Sequence, residues 1–211
     1  MKQSGSLGAL ARVDTVVTEP SVLSAAECAS LREWTIDAIT KGIMRRTPRV
    51  PHDYFTPFLL SDGSETPPSR AAARYARNTA VKPADCMPDG FWEIRDRAMK
   101  LLGIGSLAED IRKGSFLNYI LPGGDIHPHQ DDRIPVDGAE LIAIRCNVMF
   151  SKPEQGGIPF IDGRPLDIPQ GGLWAFHASE HPHYASTIHG TVGRGTLSFA
   201  FMADPADCAG P

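Results

Sequence analysis

The residues best suited to chemistry crowd into PGGDIHPHQDD, 122–132, which carries His127, His129, Asp131 and Asp132. On an extended chain His129 and Asp131 are two apart and project to one face. An imidazole nitrogen and a carboxylate oxygen so placed are two adjacent ligands for a divalent metal. A second histidine from elsewhere would complete a two-nitrogen, one-oxygen face. That face leaves three octahedral positions open and suits iron(II) that must still bind a co-substrate and dioxygen. An H-x-D pair alone also occurs in solvated turns, so it needs company. The late segment FHASEHPHYASTIHGTVGRGTLSFAF, 176–201, supplies it, with His183 or His181 as the distal ligand and His177 and His189 as lesser candidates.

Other side chains fit the same picture. Arg194 follows His183 by 11 residues and opens an apolar strand. A buried arginine there can grip a carboxylate through two parallel hydrogen bonds. Thr196, two residues on, faces the same way and adds a hydroxyl. Tyr119 lies ten residues before His129, and its phenol could donate to another carboxylate oxygen. Within 141–150, Arg145, Asn147 and Met149 alternate to one face and Ile144, Cys146, Val148 and Phe150 to the other. Arg145 in so apolar a run needs a partner. Two readings stay open: contact with an acidic co-substrate or substrate, or a structural ion pair such as one with Asp132. His127 either orients a ligand from behind or is an exposed loop histidine. Arg45, Arg46 and Arg49 either recognise a carboxylate or phosphate or form a solvated face.

These residues must be positioned by the elements around them. ARVDTVVTEP, 11–20, reads as a strand stopped by Pro20. Ser24 then opens a helix through the capping box Ser24-Ala-Ala-Glu27, with Leu31, Trp34, Ile36 and Ile39 as its apolar face. The stretch 42–70 is rich in Pro, Thr, Ser and Asp, and reads as a long irregular segment, either a functional lid or a solvated loop. A second helical region spans about 88–112, broken at Gly103–Gly105. From 115 onward the character changes. SFLNYIL, LIAIRCNVMF, IPFI, GLWAF, YASTI and GTLSFAFM are short β-rich runs separated by turn residues, the pattern of a sandwich or barrel. Helices first and antiparallel strands afterwards give an α+β protein whose helices pack on one face of a β core.

Bulk properties narrow the class. A chain of 211 residues with 42% hydrophobic and 22% charged content suits one globular domain. A net charge of -4 argues against nucleic-acid binding through a broad basic field. Cys28, Cys86, Cys146 and Cys208 form no C-x-x-C pair, which points to free thiols in a reducing, cytoplasmic setting. The N-terminus has no sustained apolar run of the signal-peptide kind, and nothing approaches the ~20 apolar residues of a membrane span.

The region 115–202 resembles the catalytic core of the 2-oxoglutarate/Fe(II)-dependent dioxygenases, especially the prolyl-4-hydroxylase-like branch. NYILPGGDIHPHQDD is similar to that branch's tyrosine, glycine, H-x-D run. LIAIRCNVMFSKPEQGGIPF is similar to its next strand and Gly-Gly hairpin. GGLWAFHASEHPHYAS followed by GRGTLSF resembles the strand with the distal histidine and then the strand with the arginine. The resemblance implies a double-stranded β-helix, a cupin-like jelly roll, as a single domain over 1–211, with helical support about 11–112 and a catalytic core about 115–203. It implies iron(II) held by His129, Asp131 and His183. It further implies 2-oxoglutarate bound by Arg194, Thr196 and Tyr119, and the alternation along 141–150 adds Arg145 and Asn147 to the lining of that pocket. Dioxygen would be the second co-substrate. Because Asp131 is present, halogenation is disfavoured.

The expected activity is hydroxylation of an unactivated C–H bond in a small molecule or amino acid, with no nucleic-acid or membrane partner. Two other readings stand beside it. One is a peptide or protein hydroxylase of prolyl type. The other is a cupin-like metal-binding or sensor protein without turnover, which would need no arginine at 194.

Overall fold

Ser24 sets the start of the first helix. Its hydroxyl accepts from the Glu27 N–H at 3.2 Å, and the Glu27 carboxylate accepts from the Ser24 N–H at 2.8 Å, so two orphan donors of the first turn are satisfied reciprocally. The computed structural model describes residues 7–46, 75–82, 86–105 and 107–208. Within them, β1 (Val17–Glu19) precedes α1 (Ala25–Thr40). The buried stripe of α1 is Cys28, Leu31, Thr35 and Ala38, a helical spacing that turns one face to the sheet. Ile36, expected on that face, stands off the stripe and is 55% exposed.

Strands β2 (Arg45–Arg46) and β3 (Tyr75–Val81) pair with each other. Most of the 42–70 stretch, with Arg49, lies outside the described residues. Next comes α2 (Phe91–Leu101), which buries Phe91, Ile94 and Ala98. The helix expected over 88–112 therefore ends well short. Gly103 takes a left-handed conformation with φ 65°, and Ala108–Glu109 form the short strand β4 instead of continuing a helix. The remaining strands are β5 (Phe116–His129), β6 (Ile134–Val136), β7 (Ala139–Ser151), β8 (Pro159–Ile161), β9 (Arg164–Pro165), β10 (Leu173–His177), β11 (His183–Ala185) and β12 (Arg194–Ala203). Only the start of the run YASTI is strand.

The main antiparallel path runs β1-β10-β7-β12-β5-β11-β8-β9, and β3 pairs along the other side of β5. Strand β5 belongs to both halves of this curled sheet. Residues 116–120 pair with β12, and residues 126–129 pair with β11. Between the two pairings Gly123 adopts φ 78°, and its N–H donates to the Ile188 carbonyl. A bend of this kind lets one strand pass from one layer to the next. The result is the double-stranded β-helix with two helices against it.

Alternation along the strands sorts the side chains. Leu117 and Tyr119 of β5, Ile144, Cys146 and Val148 of β7, Leu173 and Ala175 of β10, and Leu197, Phe199 and Phe201 of β12 all join one core with α1 and α2. Their neighbours point the other way and line a pocket: Phe116 and Asn118, Arg145 and Asn147, Trp174 and Phe176, Thr196 and Ser198. Burying roughly a dozen such apolar side chains, at about 1.5–3 kcal/mol each, makes the helix-facing side the main source of stability. The pocket-facing side can then carry polar groups.

Candidate functional site

Strand pairing brings the two distant histidines together. His183 on β11 lies directly opposite His129 on β5, and their ring centroids are 4.1 Å apart. Asp131 follows β5, anchored by its own N–H, which donates to the Ala178 carbonyl at 2.9 Å. One ligand atom from each of His129, Asp131 and His183 lies within 4.8 Å of the others. Among the described residues this is the one such group.

The histidine tautomers follow from their hydrogen bonds. His129 Nδ1 is 2.7 Å from the His127 carbonyl oxygen, and His183 Nδ1 is 2.9 Å from the His181 carbonyl oxygen. A carbonyl only accepts, so each Nδ1 must carry the proton. Each Nε2 then presents its lone pair, as a metal ligand requires. His127 thus contributes through its backbone, and its side chain is 38% exposed. His181 cannot be the distal ligand in this arrangement: its two ring nitrogens engage Asp162 Oδ2 and the Val13 carbonyl, each at 2.7 Å. His177 is fully buried away from the triad, and His189 sits in an isolated bridge to Gln155.

Asp131 is ionised. Burial alone would raise its pKa, but the charges of Lys113 and Arg145 outweigh that and hold it well below the usual carboxylate range. Lys113 Nζ lies 2.5 Å from Oδ1, and Arg145 Nη2 lies 2.8 Å from Oδ2. Arg145 Nη1 reaches Asp110 Oδ2 at 2.9 Å. The ion-pair partners of Arg145 are therefore Asp110 and Asp131, and the suggested pair with Asp132 does not form. Asp132 instead offers its backbone carbonyl to Arg112.

The pocket beside the triad is narrow, with a cavity volume of about 60 Å³. Arg194 lines it, its guanidinium 5.2 Å from the centroid of Trp174. Thr196 donates to Asn118 Oδ1 at 2.7 Å, and Ser198 donates to Asn147 Oδ1 at 2.7 Å. Tyr119 does not share this space. It lies on the helix-facing side of β5, and its hydroxyl oxygen accepts from the Gly193 N–H at 2.9 Å. Gly193 is required there, because a Cβ would sit 2.5 Å from the tyrosine ring. Met149 also leaves the group, packing in a smaller apolar cluster with Ile161 and Ile168.

Sequence reasoning missed Lys113, Asp110 and Asn118. Asn118 had a signal: it alternates with Leu117 and Tyr119, so it points where they do not. Asp110 had a weaker one. Its Oδ1 accepts from the N–H groups of Arg112 and Lys113, the local turn that an aspartate favours. Nothing local marked Lys113.

The donor set, two imidazole nitrogens and one carboxylate on one side of a pocket, is the one that suits non-haem iron(II). No protein-family model matches the chain, and no curated protein matches it in sequence. Solved structures share its fold. SnoN, a non-haem α-ketoglutarate-dependent epimerase from nogalamycin biosynthesis, superposes with TM-score 0.58 at 18% identity, over 94% of this chain and 81% of that one. A prolyl-4-hydroxylase from Pseudomonas putida gives TM-score 0.54 at 12% identity, over 90% and 92%. HygX from Streptomyces hygroscopicus, determined with nickel and 2-oxoglutarate bound, gives 0.53 at 10% identity, over 90% and 82%. In fold, this chain stands with the 2-oxoglutarate-dependent oxygenases.

Proposed function

We propose that this protein is a 2-oxoglutarate- and dioxygen-dependent non-haem iron(II) oxygenase that hydroxylates an unactivated C–H bond of a small molecule or amino acid. The observation that carries the reading is the His129, Asp131 and His183 triad in the wall of a pocket that Arg194 and Thr196 also line. The metal and its co-substrates supply the oxidising chemistry, with succinate and carbon dioxide as co-products.

The chain's own residues do the rest. His129 and His183 present Nε2 to the metal because backbone carbonyls fix Nδ1. Asp131 stays ionised between two cations. Arg194 would hold the distal carboxylate of 2-oxoglutarate, as an arginine suits a carboxylate. Thr196 and Asn118, already hydrogen-bonded to each other, add polar contacts beside it. Trp174, Phe176 and Phe116 give the remaining walls an apolar character that excludes water. The four free cysteines support a reducing, cytoplasmic setting.

A peptide-acting prolyl-type hydroxylase is the second reading, favoured by the fold shared with prolyl hydroxylases. The small cavity, about 60 Å³, weighs toward a small molecule. The stacked Phe160–Tyr184 pair, with ring centroids 4.5 Å apart, lines the pocket as an apolar platform for it. A cupin-like metal protein without turnover is the third reading and would give no co-substrate dependence.

The deciding experiment is an anaerobic titration with iron(II) and then 2-oxoglutarate, followed by visible absorption. A charge-transfer band that needs both, and that is lost in Arg194→Ala, is the expected result. His183→Ala loses metal while His181→Ala keeps it. Stoichiometric metal binding with no band would sink the oxygenase reading.

A further inference from the structure

Asp131 meets two cations, and the two differ in kind. Arg145 is locked in place: its side chain is 7% exposed, and it is paired with Asp110, whose side chain is 0% exposed. Lys113 is less enclosed: its side chain is 28% exposed, and its backbone N–H donates to Asp110 Oδ1 at 3.2 Å. The two cations also take different oxygens. Arg145 holds Oδ2, while Lys113 holds Oδ1. Oδ1 is the oxygen that faces the triad, 3.8 Å from His129 Nε2.

We propose that Lys113 and a divalent metal compete for Oδ1 of Asp131, so that the site loads metal by displacing Lys113 while Arg145 keeps the carboxylate in position. The inference rests on the metal-site reading above. An oxygen cannot serve an ammonium at hydrogen-bond distance and a divalent cation without placing two like charges against each other. The flexible, partly exposed partner yields, and the buried, doubly paired one stays. Arg145 is thus a positioning residue that leaves Asp131 one oxygen for the metal. Lys113 lowers the affinity of the site, and once displaced it leaves an ammonium at the pocket wall.

Manganese(II) is the probe, because its binding is read directly from the electron paramagnetic resonance of the free ion, without turnover. The full chain is titrated at about 1 M salt, where screening over ~3 Å removes long-range field effects but not a direct contact. Lys113→Met binds manganese about fivefold more tightly than wild type, the equivalent of losing one partly exposed ion pair. Lys113→Arg restores near wild-type affinity, because it restores a cation on Oδ1. Arg112→Met removes the same charge next door without touching Asp131, and leaves affinity unchanged. Equal or weaker binding in Lys113→Met overturns the proposal, as does an Arg112→Met variant that tightens as much. His183→Ala separates the two levels: if it binds as wild type does, the metal-site reading itself fails and the competition with it.

Discussion

Two arginines on neighbouring strands point into one pocket, and their surroundings differ. Arg145 on β7 meets two buried carboxylates, Asp110 and Asp131, at 2.9 and 2.8 Å. Arg194 on β12 lies over the face of Trp174, a contact that uses the plane of the guanidinium rather than its N–H edge. Both are almost fully buried, at 6% and 3% exposure. The first arginine is part of the frame that holds a ligand of the candidate metal site. The second lines the same pocket and is the one proposed to meet a guest carboxylate. Burial alone does not separate the two; the groups shown beside each guanidinium do. A third arginine, Arg97 on α2, gives the surface reference: it bridges to Glu27 on α1 at 2.9 Å with its side chain 42% exposed.

The largest effect that could break this comparison is on stability. Arg145→Met takes from buried Asp110 its nearer cation and leaves Arg112 at 4.0 Å, and the cost expected from denaturant unfolding is about 3–5 kcal/mol. Adding Asp110→Asn to that variant recovers part of the loss. Arg194→Met shows the opposite signature: a much smaller stability change, with loss of the 2-oxoglutarate-dependent absorption band. If Arg194→Met unfolds the protein and Arg145→Met does not, the assignment of frame and guest site is reversed.

Tyr119 sharpens the same distinction at smaller scale. Its hydroxyl serves the Gly193 N–H, one residue before Arg194, and not the pocket. Tyr119→Phe is expected to cost about 1 kcal/mol, the value of one lost hydrogen bond, and to leave 2-oxoglutarate affinity within twofold of wild type. A large loss of co-substrate affinity in this variant, at unchanged stability, would place the phenol at the ligand after all.

The C-terminal half was the more legible in sequence because its constraint is local. In β7, β10 and β12 strict alternation separates core from pocket, and it is visible in LIAIRCNVMF and GTLSFAFM without any neighbour. The H-x-D pair is likewise local, with His129 ending β5 and Asp131 two residues on. The distal histidine was narrowed to two positions and no further, because what decides between them is not local. His181 is claimed by Asp162 and Val13, which sit in other parts of the chain. Tyr119 and Arg145 show the same limit: their partners, Gly193, Asp110 and Asp131, are set by tertiary packing. The second helix falls short of residue 112 because the break expected at Gly103–Gly105 is its end. With Gly103 in a left-handed conformation, the chain stops the helix and turns toward β4.

The smallest expected effect lies at the surface pair and is separable by pH. The hydrogen-bonded Arg97 guanidinium draws the Glu27 pKa down from 4.5, and although burial opposes it, the Ser24 N–H and hydroxyl add to the pull and the carboxyl ends at about 2. A carboxyl whose pKa is lower folded than unfolded adds stability that is present in full above the unfolded value. That stability fades as pH falls from about 4.5 toward about 2, because the unfolded chain takes up the proton first. The pair is partly exposed, so solvent screening limits its contribution to about 1 kcal/mol or less. Glu27→Gln should therefore lower the midpoint of denaturant unfolding slightly at pH 7 and flatten its decline between pH 5 and pH 3, values that bracket the upper part of the carboxylate titration range at about 4. Arg97→Met should do the same, because it removes the cation that lowers the carboxyl. An unchanged acid profile in both variants would show that the bridge between α1 and α2 adds nothing to stability.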